Sequence, residues 1–418
     1  MKKIFSSIAS SSLGNILEWY DFGLFTIFSS LFGRLFFPNE DPHTALIATI
    51  SIFAVGFLCR PIGAIIFGYL GDRQGRAKTL RLSVLMISIP TLLIGCLPSY
   101  QEIGLLAPLL LMLTRIWQGI SIGGEYSGNL IYLAESAPRD YRATVTSFAS
   151  TGANLGILLA AIVGIVTANV FSDQALNAWG WRIPYLLSGI LCILIYMFRL
   201  RIQETKVFEY LKEQKKLASN PIKTALENNY WQILRTLGLV CFGSTFYYFC
   251  FIYLPLFLKE NLLLSVAQVS ELMTSLIICM LFLVPLAGFI CDTIGRRKML
   301  VFNAALVTCI VIPGFYFLQQ GGFLLVAALI IFTAASSLEQ GTTSIAVVEN
   351  FPPPARYTGV SLGYNLGNGI LGGTVPIICA WLLTYSAIAP AIYIACCASI
   401  TGLVAYFFVP ETKGKSLI

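Results

Sequence analysis

Acidic and basic residues interrupt several long apolar stretches of this sequence, and their types could carry proton chemistry. Glu18 and Asp21 lie three residues apart, so a helix would present both on one face. Arg60, Arg115 and Glu125 stand in later apolar stretches. Crowded carboxylates in a low-dielectric site can hold a proton near neutral pH and release it when the site opens to water. We therefore expect Asp21 to be the proton carrier, followed by Glu125 and Glu18.

Other polar and aromatic residues in these stretches could bind a solute. Arg115 has Gln118 one turn away on the same face, and a planar guanidinium binds a carboxylate through two hydrogen bonds. Tyr247 or Tyr248 could hold a quaternary ammonium group by cation–π attraction. Packing between helices or against lipid is the commoner role of such aromatic residues. Arg115 could likewise form an ion pair between helices instead of binding a ligand.

The elements that must position these residues follow from composition. The chain has 418 residues, of which 57% are hydrophobic and 11% are charged. This balance is too apolar for a soluble protein, and a membrane-spanning helix needs about 20 mostly apolar residues. The pattern predicts an all-α polytopic membrane protein with twelve transmembrane helices in two six-helix bundles. The predicted spans are 13–37, 44–70, 79–97, 103–134, 143–170, 181–203, 230–258, 265–291, 298–318, 322–348, 356–384 and 387–409.

The basic residues predict the orientation of the chain in the membrane. Lys and Arg concentrate in every second loop, as at Arg73–Arg81 and Arg199–Lys223, and the loops between carry none except Lys259. By the positive-inside rule, both termini and the central loop lie in the cytoplasm. The first apolar stretch contains Glu18 and Asp21, which a cleavable signal peptide would not, so we expect a multi-pass protein of the bacterial inner membrane. The net charge of +7 is spread over these loops, so no nucleic-acid partner is expected.

Catalytic and cofactor chemistry is not expected from this sequence. His43 is the only histidine, and the eleven cysteines lie almost wholly in apolar runs without a CxxC pair. No phosphate-binding G-x4-G-K-[ST] loop occurs, which disfavours ATP-driven transport. We therefore predict a protein that is not an enzyme and has no metal or cofactor.

The two halves of the chain repeat the same landmarks in the same order. Such parallel repeats pack around an axis along the membrane normal, with the solute between them near the midplane. The predicted division is residues 1–203 and 230–418 as two bundles, joined by a cytoplasmic loop at 204–229. The repeated landmarks are Gly68-x3-Asp72-x2-Gly75-Arg76-x-Lys78 with Gly288-x3-Asp292-x2-Gly295-Arg296-x-Lys298, Glu135-x6-Arg142 with Glu349-x6-Arg356, Gly152-Ala-Asn-Leu-Gly156 with Gly363-Tyr-Asn-Leu-Gly367, and Glu204-Thr-Lys206 with Glu411-Thr-Lys413.

The doubled loop motif is predicted to act as a conformational latch. Asp72 and Asp292 can accept the first amides of a helix or pair with an arginine of a neighbouring helix. Arg76 and Arg296 would stay near anionic headgroups. Closure of this layer would stabilise the outward-open state.

These motifs resemble the major facilitator superfamily over essentially the whole chain. Further motifs resemble its metabolite:proton symporters, whose members carry proline and glycine betaine, α-ketoglutarate, citrate or shikimate, and the first half is most similar to the proline/betaine branch. The residues that carry this likeness are Gly14-Asn-Ile-Leu-Glu18-Trp-Tyr-Asp21-Phe, Arg60-Pro-Ile-Gly63, Gln118-Gly-Ile-Ser-Ile-Gly-Gly-Glu125-Tyr and Trp179-Gly-Trp-Arg182-Ile-Pro.

The resemblance implies which residues meet. It brings the first, second and fourth helices together and places the fourth beside the cavity, so Arg60 would approach Asp21 or Glu125. Those contacts could equally be structural ion pairs that hold the helices. Glu339 is expected to be structural, because the second half offers it no evident basic partner. The expected substrate-binding residues are Arg115, Gln118, Arg60, Tyr20, Tyr126, Tyr247 and Tyr248.

The functional expectation is a proton-coupled symporter that imports a small carboxylate-bearing solute by alternating access. A proline- or betaine-type zwitterion is the first candidate, and a di- or tricarboxylate such as α-ketoglutarate or citrate is the second. An efflux or exchange carrier of the same fold and a non-transporting sensor remain as alternatives. The expected partners are the small-molecule substrate, protons and the lipid bilayer, and the expected state is a monomer.

Overall fold

The computed structural model describes residues 2–418, and the side chains of all of these except residues 2–10, 42, 43 and 173. Within this range twelve long helices, α1 to α12, follow one another without a strand. The predicted all-α fold class is confirmed. The bounds are α1 Lys2–Ile27 with a continuation Ser29–Phe36, α2 Pro42–Leu58 with Arg60–Gln74, α3 Arg76–Cys96, α4 Leu106–Ser136, α5 Arg142–Val170, α6 Arg182–Arg199, α7 Tyr230–Glu260, α8 Val266–Ile294, α9 Arg296–Gln320, α10 Gly322–Glu349, α11 Pro353–Leu383 and α12 Ala389–Phe408.

Most of these helices have the length and composition of membrane spans. In the described part of the chain, α2 to α12 meet both requirements. The first helix differs from its predicted span, because it begins at Lys2 and is interrupted at Phe28. At this interruption the Ser29 hydroxyl donates to the Thr26 carbonyl oxygen at 2.8 Å, a local bond that competes with the regular helix ladder.

The twelve helices form two bundles with the same internal packing. In the first bundle α1 packs against α5, α2 against α4, and α3 against α4 and α6. In the second bundle α7 packs against α11, α8 against α10, and α9 against α10 and α12, which is the same set shifted by six helices. The bundles meet where α5 packs against α8 and where α2 packs against α11. A shift by six helices converts each of these two contacts into the other.

A short helix joins the bundles. It spans Lys206–Glu213, and the Thr205 side chain caps it by accepting a hydrogen bond from the Phe208 amide at 3.2 Å. Val207, Phe208 and Leu211 are buried, whereas the charged residues between them face outwards. The predicted boundaries at residues 203 and 230 stay a prediction.

The first glycine of each doubled motif permits the close approach of the two bundles. A Cβ on Gly68 in α2 would lie 2.7 Å from the Thr358 Cα in α11. A Cβ on Gly288 in α8 would lie 2.7 Å from the Ala143 carbonyl oxygen in α5. Both distances are shorter than van der Waals contact allows, so a larger residue at either position would push the bundles apart.

Candidate functional site

A cavity of about 60 Å³ lies between the two bundles. Helices α1, α4 and α5 of the first bundle and α7, α10 and α11 of the second contribute to its wall. Two of these helices, α7 and α11, widen locally into π-helical turns at Phe249–Tyr253 and Gly367–Gly372, an irregularity that is frequent at functional sites. The lining residues with polar or aromatic side chains are Trp19, Tyr126, Ser150, Asn154, Ser244, Tyr247, Tyr248, Glu339, Gln340, Thr343, Ser344, Tyr364 and Asn368.

Aromatic rings form much of the cavity wall. Tyr126 of α4 stacks on Tyr364 of α11, with ring centroids 4.8 Å apart. Tyr247 of α7 adds a further ring, which lies 6.5 Å from that of Trp19 and 6.1 Å from that of Tyr248 in edge-on arrangements. The rings therefore come from both bundles, and their faces provide negative electrostatic potential for a cation.

The polar groups of the wall are only partly paired. Tyr247 donates to Asn154 Oδ1 at 3.4 Å, and Asn154 Nδ2 donates to Gln340 Oε1 at 3.2 Å. The Gln340 Nε2 and the Tyr248 hydroxyl have no hydrogen-bond partner among the described residues. Among the lining residues one is acidic, Glu339, and none is basic. The Trp19 Nε1 and the Thr343 hydroxyl also have no partner among the described residues, so the cavity presents one carboxylate and four unused donors.

Asp21 and Arg115 pair with each other in the interior of the first bundle. Arg115 Nη1 donates to Asp21 Oδ2 at 2.7 Å and to Gln118 Oε1 at 2.6 Å. Gln118 Nε2 in turn donates to Thr91 at 2.9 Å, and the guanidinium carbon lies 3.9 Å from the centre of the Phe25 ring. Both members of the pair are at most 3% exposed. None of these residues lines the central cavity.

Glu125 forms a second buried ion pair, with a partner that the sequence did not suggest. Arg199 Nη1 donates to Glu125 Oε2 at 2.9 Å, and the Ser83 hydroxyl donates to the same oxygen at 2.6 Å. Both charged side chains are fully buried. Arg199 was missed because it ends α6 beside Arg201, where basic residues are typical of headgroup contact.

Arg60 pairs with neither carboxylate, so the expected Arg60–Asp21 or Arg60–Glu125 contact is wrong. Its Nε donates to Asn365 Oδ1 at 3.2 Å, and Asn365 Nδ2 donates to the Gly123 carbonyl oxygen at 2.9 Å. Arg60 therefore belongs to the contact of α2 and α4 with α11. Asp21 and Glu125 instead form ion pairs with arginines of α4 and α6.

Glu18, predicted as a proton carrier, and Tyr20, predicted to bind the substrate, both lie outside the cavity wall. Glu18 is fully buried, and neither of its carboxyl oxygens has a hydrogen-bond partner among the described residues. Tyr20 is buried in the hydrophobic core of the first bundle that also contains Leu24 and Phe25.

The structure thus divides the predicted substrate-binding residues into two groups. Tyr126, Tyr247 and Tyr248 line the central cavity. Arg115, Gln118, Arg60 and Tyr20 do not, because they are engaged inside the first bundle or at its contact with α11. Sequence reasoning missed Trp19, Asn154 and Tyr364 as wall residues. Two of them stand within the repeated Gly152–Gly156 and Gly363–Gly367 motifs, which was the available signal.

A charged layer lies at one end of the bundles, and its carboxylates cap helices of the opposite bundle. Asp72 accepts hydrogen bonds from the Thr358 amide and hydroxyl, both at 2.9 Å, at the start of α11. Asp292 accepts from the Thr144 amide and hydroxyl, both at 2.8 Å, at the start of α5. We define the charged layer as Asp72, Arg76, Glu135, Arg142, Asp292, Arg296, Glu349 and Arg356.

Ion pairs within the charged layer also cross between the bundles. Glu135 lies 2.9 Å from Arg356 and 3.3 Å from Arg76. The equivalent Glu349 lies 3.6 Å from Arg142 and 3.1 Å from Arg296. Each glutamate therefore joins an arginine of its own bundle to one of the other bundle.

Two carboxylates outside the membrane spans cap the helices that follow the doubled motif. Glu204 accepts from the Arg76 amide at 3.0 Å, and Glu411 accepts from the Arg296 amide at 2.9 Å. Burial raises the pKa of Glu204 although the backbone amides oppose it. Glu411 is also penalised by burial, but its backbone amide donors outweigh this and hold its pKa below the usual range. The two caps are alike in geometry and differ in electrostatics.

Two helical bundles around a central cavity are the architecture of a membrane transporter, and comparison with known families agrees. Residues 7–229 match the sugar (and other) transporter family, and residues 236–417 match the major facilitator superfamily. The chain belongs to the major facilitator superfamily.

Relatives cover nearly the whole chain. A proline/betaine transporter of Escherichia coli is 32% identical over 99% of this chain and 85% of its own length. A glycine betaine/proline/ectoine/pipecolic acid transporter of Dickeya dadantii, OusA, is 31% identical over 98% of this chain and 84% of its own. A putative proline/betaine transporter of Staphylococcus aureus is 33% identical over 100% of this chain and 90% of its own.

Solved structures share the fold at lower sequence identity. The proton:xylose symporter XylE bound to a bromodeoxyglucose has a TM-score of 0.83 at 20% identity, covering 99% of this chain and 97% of its own. The transporter FucP in an outward conformation has a TM-score of 0.69 at 14% identity, covering 96% and 98%.

Proposed function

We propose that this protein is a proton-coupled symporter that imports a proline- or betaine-type zwitterion by alternating access. Its termini and the charged layer face the cytoplasm in this proposal, and one chain is the working unit. The observation that carries the proposal is the central cavity, where aromatic rings of both bundles surround a site without a basic side chain. The relatives, which are named as proline and betaine transporters, support the same substrate class.

The cavity chemistry favours a zwitterion over a di- or tricarboxylate. Tyrosine and tryptophan faces attract an ammonium group, and each such contact is worth roughly 0.5–2 kcal/mol. The unused Gln340 Nε2 and Tyr248 hydroxyl can donate to one substrate carboxylate. Two or three substrate carboxylates would enter a buried site that has no lysine or arginine in its wall, at a large desolvation cost.

Proton coupling is assigned to Asp21. One of its oxygens is paired with Arg115, and the other has no hydrogen-bond partner, so this carboxylate can accept a proton. A protonated Asp21 no longer holds Arg115 by charge, which frees α1 to move relative to α4. Because α1 also carries Trp19 of the cavity wall, movement of this helix links the proton site to the substrate site.

The other two acidic candidates are ranked by their partners. Glu18 has no hydrogen-bond partner and is the second candidate for proton transfer. Both oxygens of Glu125 accept hydrogen bonds from Arg199, which favours a structural role for this pair.

Alternating access is assigned to relative motion of the bundles. The contacts of Asp72 with α11 and of Asp292 with α5 close one end, and they must break for that end to open. Glu135 and Glu349 add ion pairs that also cross the interface. The charged layer is thereby the conformational latch of this proposal.

Transport assays in proteoliposomes test the coupling. We expect Asp21→Asn to abolish uphill accumulation of proline or glycine betaine under an imposed proton gradient and to spare exchange of labelled for unlabelled substrate. Asp140→Asn, an exposed carboxylate in the short 3-10 helix before α5, is the matched control and should leave both intact. Equal loss of accumulation and exchange in Asp21→Asn would refute the coupling role. Proton-driven extrusion without uptake would show an efflux carrier.

A further inference from the structure

We infer that Glu339 is the counter-ion for the positively charged nitrogen of the substrate, so that the cavity also accepts trimethylammonium compounds that lack a carboxylate. This inference rests on the proposed function and extends its substrate class. It assigns a selectivity role to a residue that the sequence alone favoured as structural.

Glu339 is a buried carboxylate without a basic partner. It is 6% exposed, and no lysine or arginine among the described side chains lies within ion-pair distance of it. Removing a carboxylate from water is costly unless a counter-charge or a proton accompanies it. The buried carboxylates of Asp21, Glu125, Glu135 and Glu349 each have an arginine partner. Glu18 has none either, but it lies outside the cavity wall. The missing counter-charge at Glu339 is what a cationic ligand would supply.

The packing around Glu339 directs its carboxylate to the aromatic side of the cavity. A Cβ on Gly243 would lie 2.5 Å from the Glu339 carboxyl carbon, so only glycine leaves room for this side chain against α7. Tyr247 follows Gly243 by one helical turn, and both residues line the cavity with Glu339. A nitrogen bound at the tyrosine face would therefore lie beside the carboxylate.

The two charges of the substrate would meet groups of different kinds in the cavity. The positive nitrogen would meet the opposite full charge of Glu339 together with aromatic faces, whereas the substrate carboxylate would meet neutral donors such as Gln340 and Tyr248. Two opposite full charges attract each other strongly where water is excluded. The positive charge therefore contributes more to recognition, and losing the substrate carboxylate costs less than losing the positive charge.

Matched carbon and nitrogen compounds separate charge from shape. Glycine betaine and choline both carry a trimethylammonium group, and choline has no carboxylate. In 3,3-dimethylbutyrate and 3,3-dimethylbutanol a carbon replaces the nitrogen, so each keeps the shape and loses the positive charge. Binding of all four to the purified full-length protein in detergent is measured by calorimetry, together with proline.

The expected result has two parts. The wild-type protein binds choline with an affinity within about tenfold of that for glycine betaine. It binds either carbon compound at least about tenfold more weakly than the nitrogen counterpart. A tenfold change in affinity corresponds to the loss of a single moderate interaction. Glu339→Gln lowers choline affinity at least about tenfold and leaves 3,3-dimethylbutanol affinity unchanged. Glu271→Gln, an exposed glutamate on α8, is the control and changes neither.

Several outcomes would overturn the inference. If Glu339→Gln weakened choline and 3,3-dimethylbutanol equally, Glu339 would be a structural residue, and an unchanged choline affinity would remove it from the site. If the wild type bound glycine betaine but not choline, this inference alone would fail. If the wild type bound neither proline nor any trimethylammonium compound, the proposed function would fail with it.

Discussion

The charged layer and the central cavity place buried carboxylates in opposite situations. In the charged layer, Glu135 and Glu349 each contact two arginines, one of which belongs to the other bundle. In the cavity, Glu339 has no basic partner in the described part of the chain, and four donors of the wall are unused. The layer holds the bundles together because each of its glutamates is paired with arginines of both bundles. The cavity is suited to a ligand because its glutamate has no such partner.

The two regions also differ in symmetry. The hydrogen bonds of Asp72 to Thr358 and of Asp292 to Thr144 agree within 0.1 Å, at 2.9 and 2.8 Å. The cavity wall instead takes Trp19 from α1 and Tyr247 and Tyr248 from α7, its counterpart in the second bundle. The side chains of the charged layer are symmetric, because two equivalent contacts hold the bundles there. Equivalent helices also supply the cavity wall, but their side chains differ, as a site for one asymmetric solute requires.

The largest expected effect is the loss of a layer glutamate. Glu135→Gln leaves Arg76 and Arg356 buried with reduced counter-charge, and breaking a buried pair in this way costs about 3–5 kcal/mol. Glu349→Gln should cost a similar amount because its contacts are equivalent. Thermal unfolding of the purified variants in detergent measures both. A loss below about 1 kcal/mol for either would show that the layer does not hold the bundles.

The interface glycines should give the next largest effect. Gly68→Ala and Gly288→Ala each insert a methyl group into a contact that has no room for it, which costs about 1–3 kcal/mol. Because both changes push the bundles apart at the charged layer, a cysteine cross-link across this layer should form more slowly in each. Gly373→Ala, at an open and exposed position in α11, is the control for packing. Unequal effects of the two interface changes would contradict the symmetry of the layer.

A smaller effect is expected at the two capping glutamates, and it should depend on pH. The pKa of Glu411 is lowered in the folded protein, so its contribution is present above the unfolded pKa and is lost as pH falls through the folded pKa. Glu411→Gln should therefore lower stability near neutral pH by at most about 1 kcal/mol, because solvent screens this partly exposed group, and should have no effect in acid.

Glu204 should behave in the opposite way. Its folded pKa is raised, so the folded protein binds the proton more tightly, and the ionised carboxylate lowers stability above that pKa. Glu204→Gln should leave stability at neutral pH unchanged or slightly increased. Unfolding temperatures measured across a pH series would check both variants, and parallel pH curves would contradict the difference between the caps.

The smallest expected effect on stability is at the cavity. Glu339→Gln removes a buried charge that has no basic partner, so it should not lower the unfolding temperature. Unfolding of this variant beside Glu135→Gln gives the sharpest contrast between the two regions. Destabilisation as large as that of Glu135→Gln would mean that Glu339 has a structural partner.

Much of the charged layer could be predicted from the sequence because its motif occurs twice. An aspartate and an arginine at fixed spacing beside a glycine restrict the possible contacts, and both copies lead to the same geometry. The expected position of Arg76 and Arg296 near lipid headgroups is wrong, because both are buried in ion pairs with Glu135 and Glu349. The partner of Arg60 could not be predicted, because hydrophobic spans fix neither the rotation of a helix nor the depth at which it crosses its neighbours. Arg60 therefore faces Asn365, and Arg199 reaches Glu125 from the end of α6.

The cavity was less predictable than the fold for the same reason. Tyr247 and Tyr248 were expected as wall residues because aromatic residues crowd this part of α7. Glu339 could not be recognised from its neighbours in sequence, since what distinguishes it is the absence of a basic side chain from several helices that meet in space.

Proton movement during substrate uptake tests the central claim most directly. Proteoliposomes containing the protein and a lumenal pH indicator, held without an imposed pH gradient, receive glycine betaine from outside. Coupled symport predicts lumenal acidification that accompanies the uptake of labelled glycine betaine and disappears in Asp21→Asn. Uptake of glycine betaine by the wild-type protein without lumenal acidification would contradict the claim.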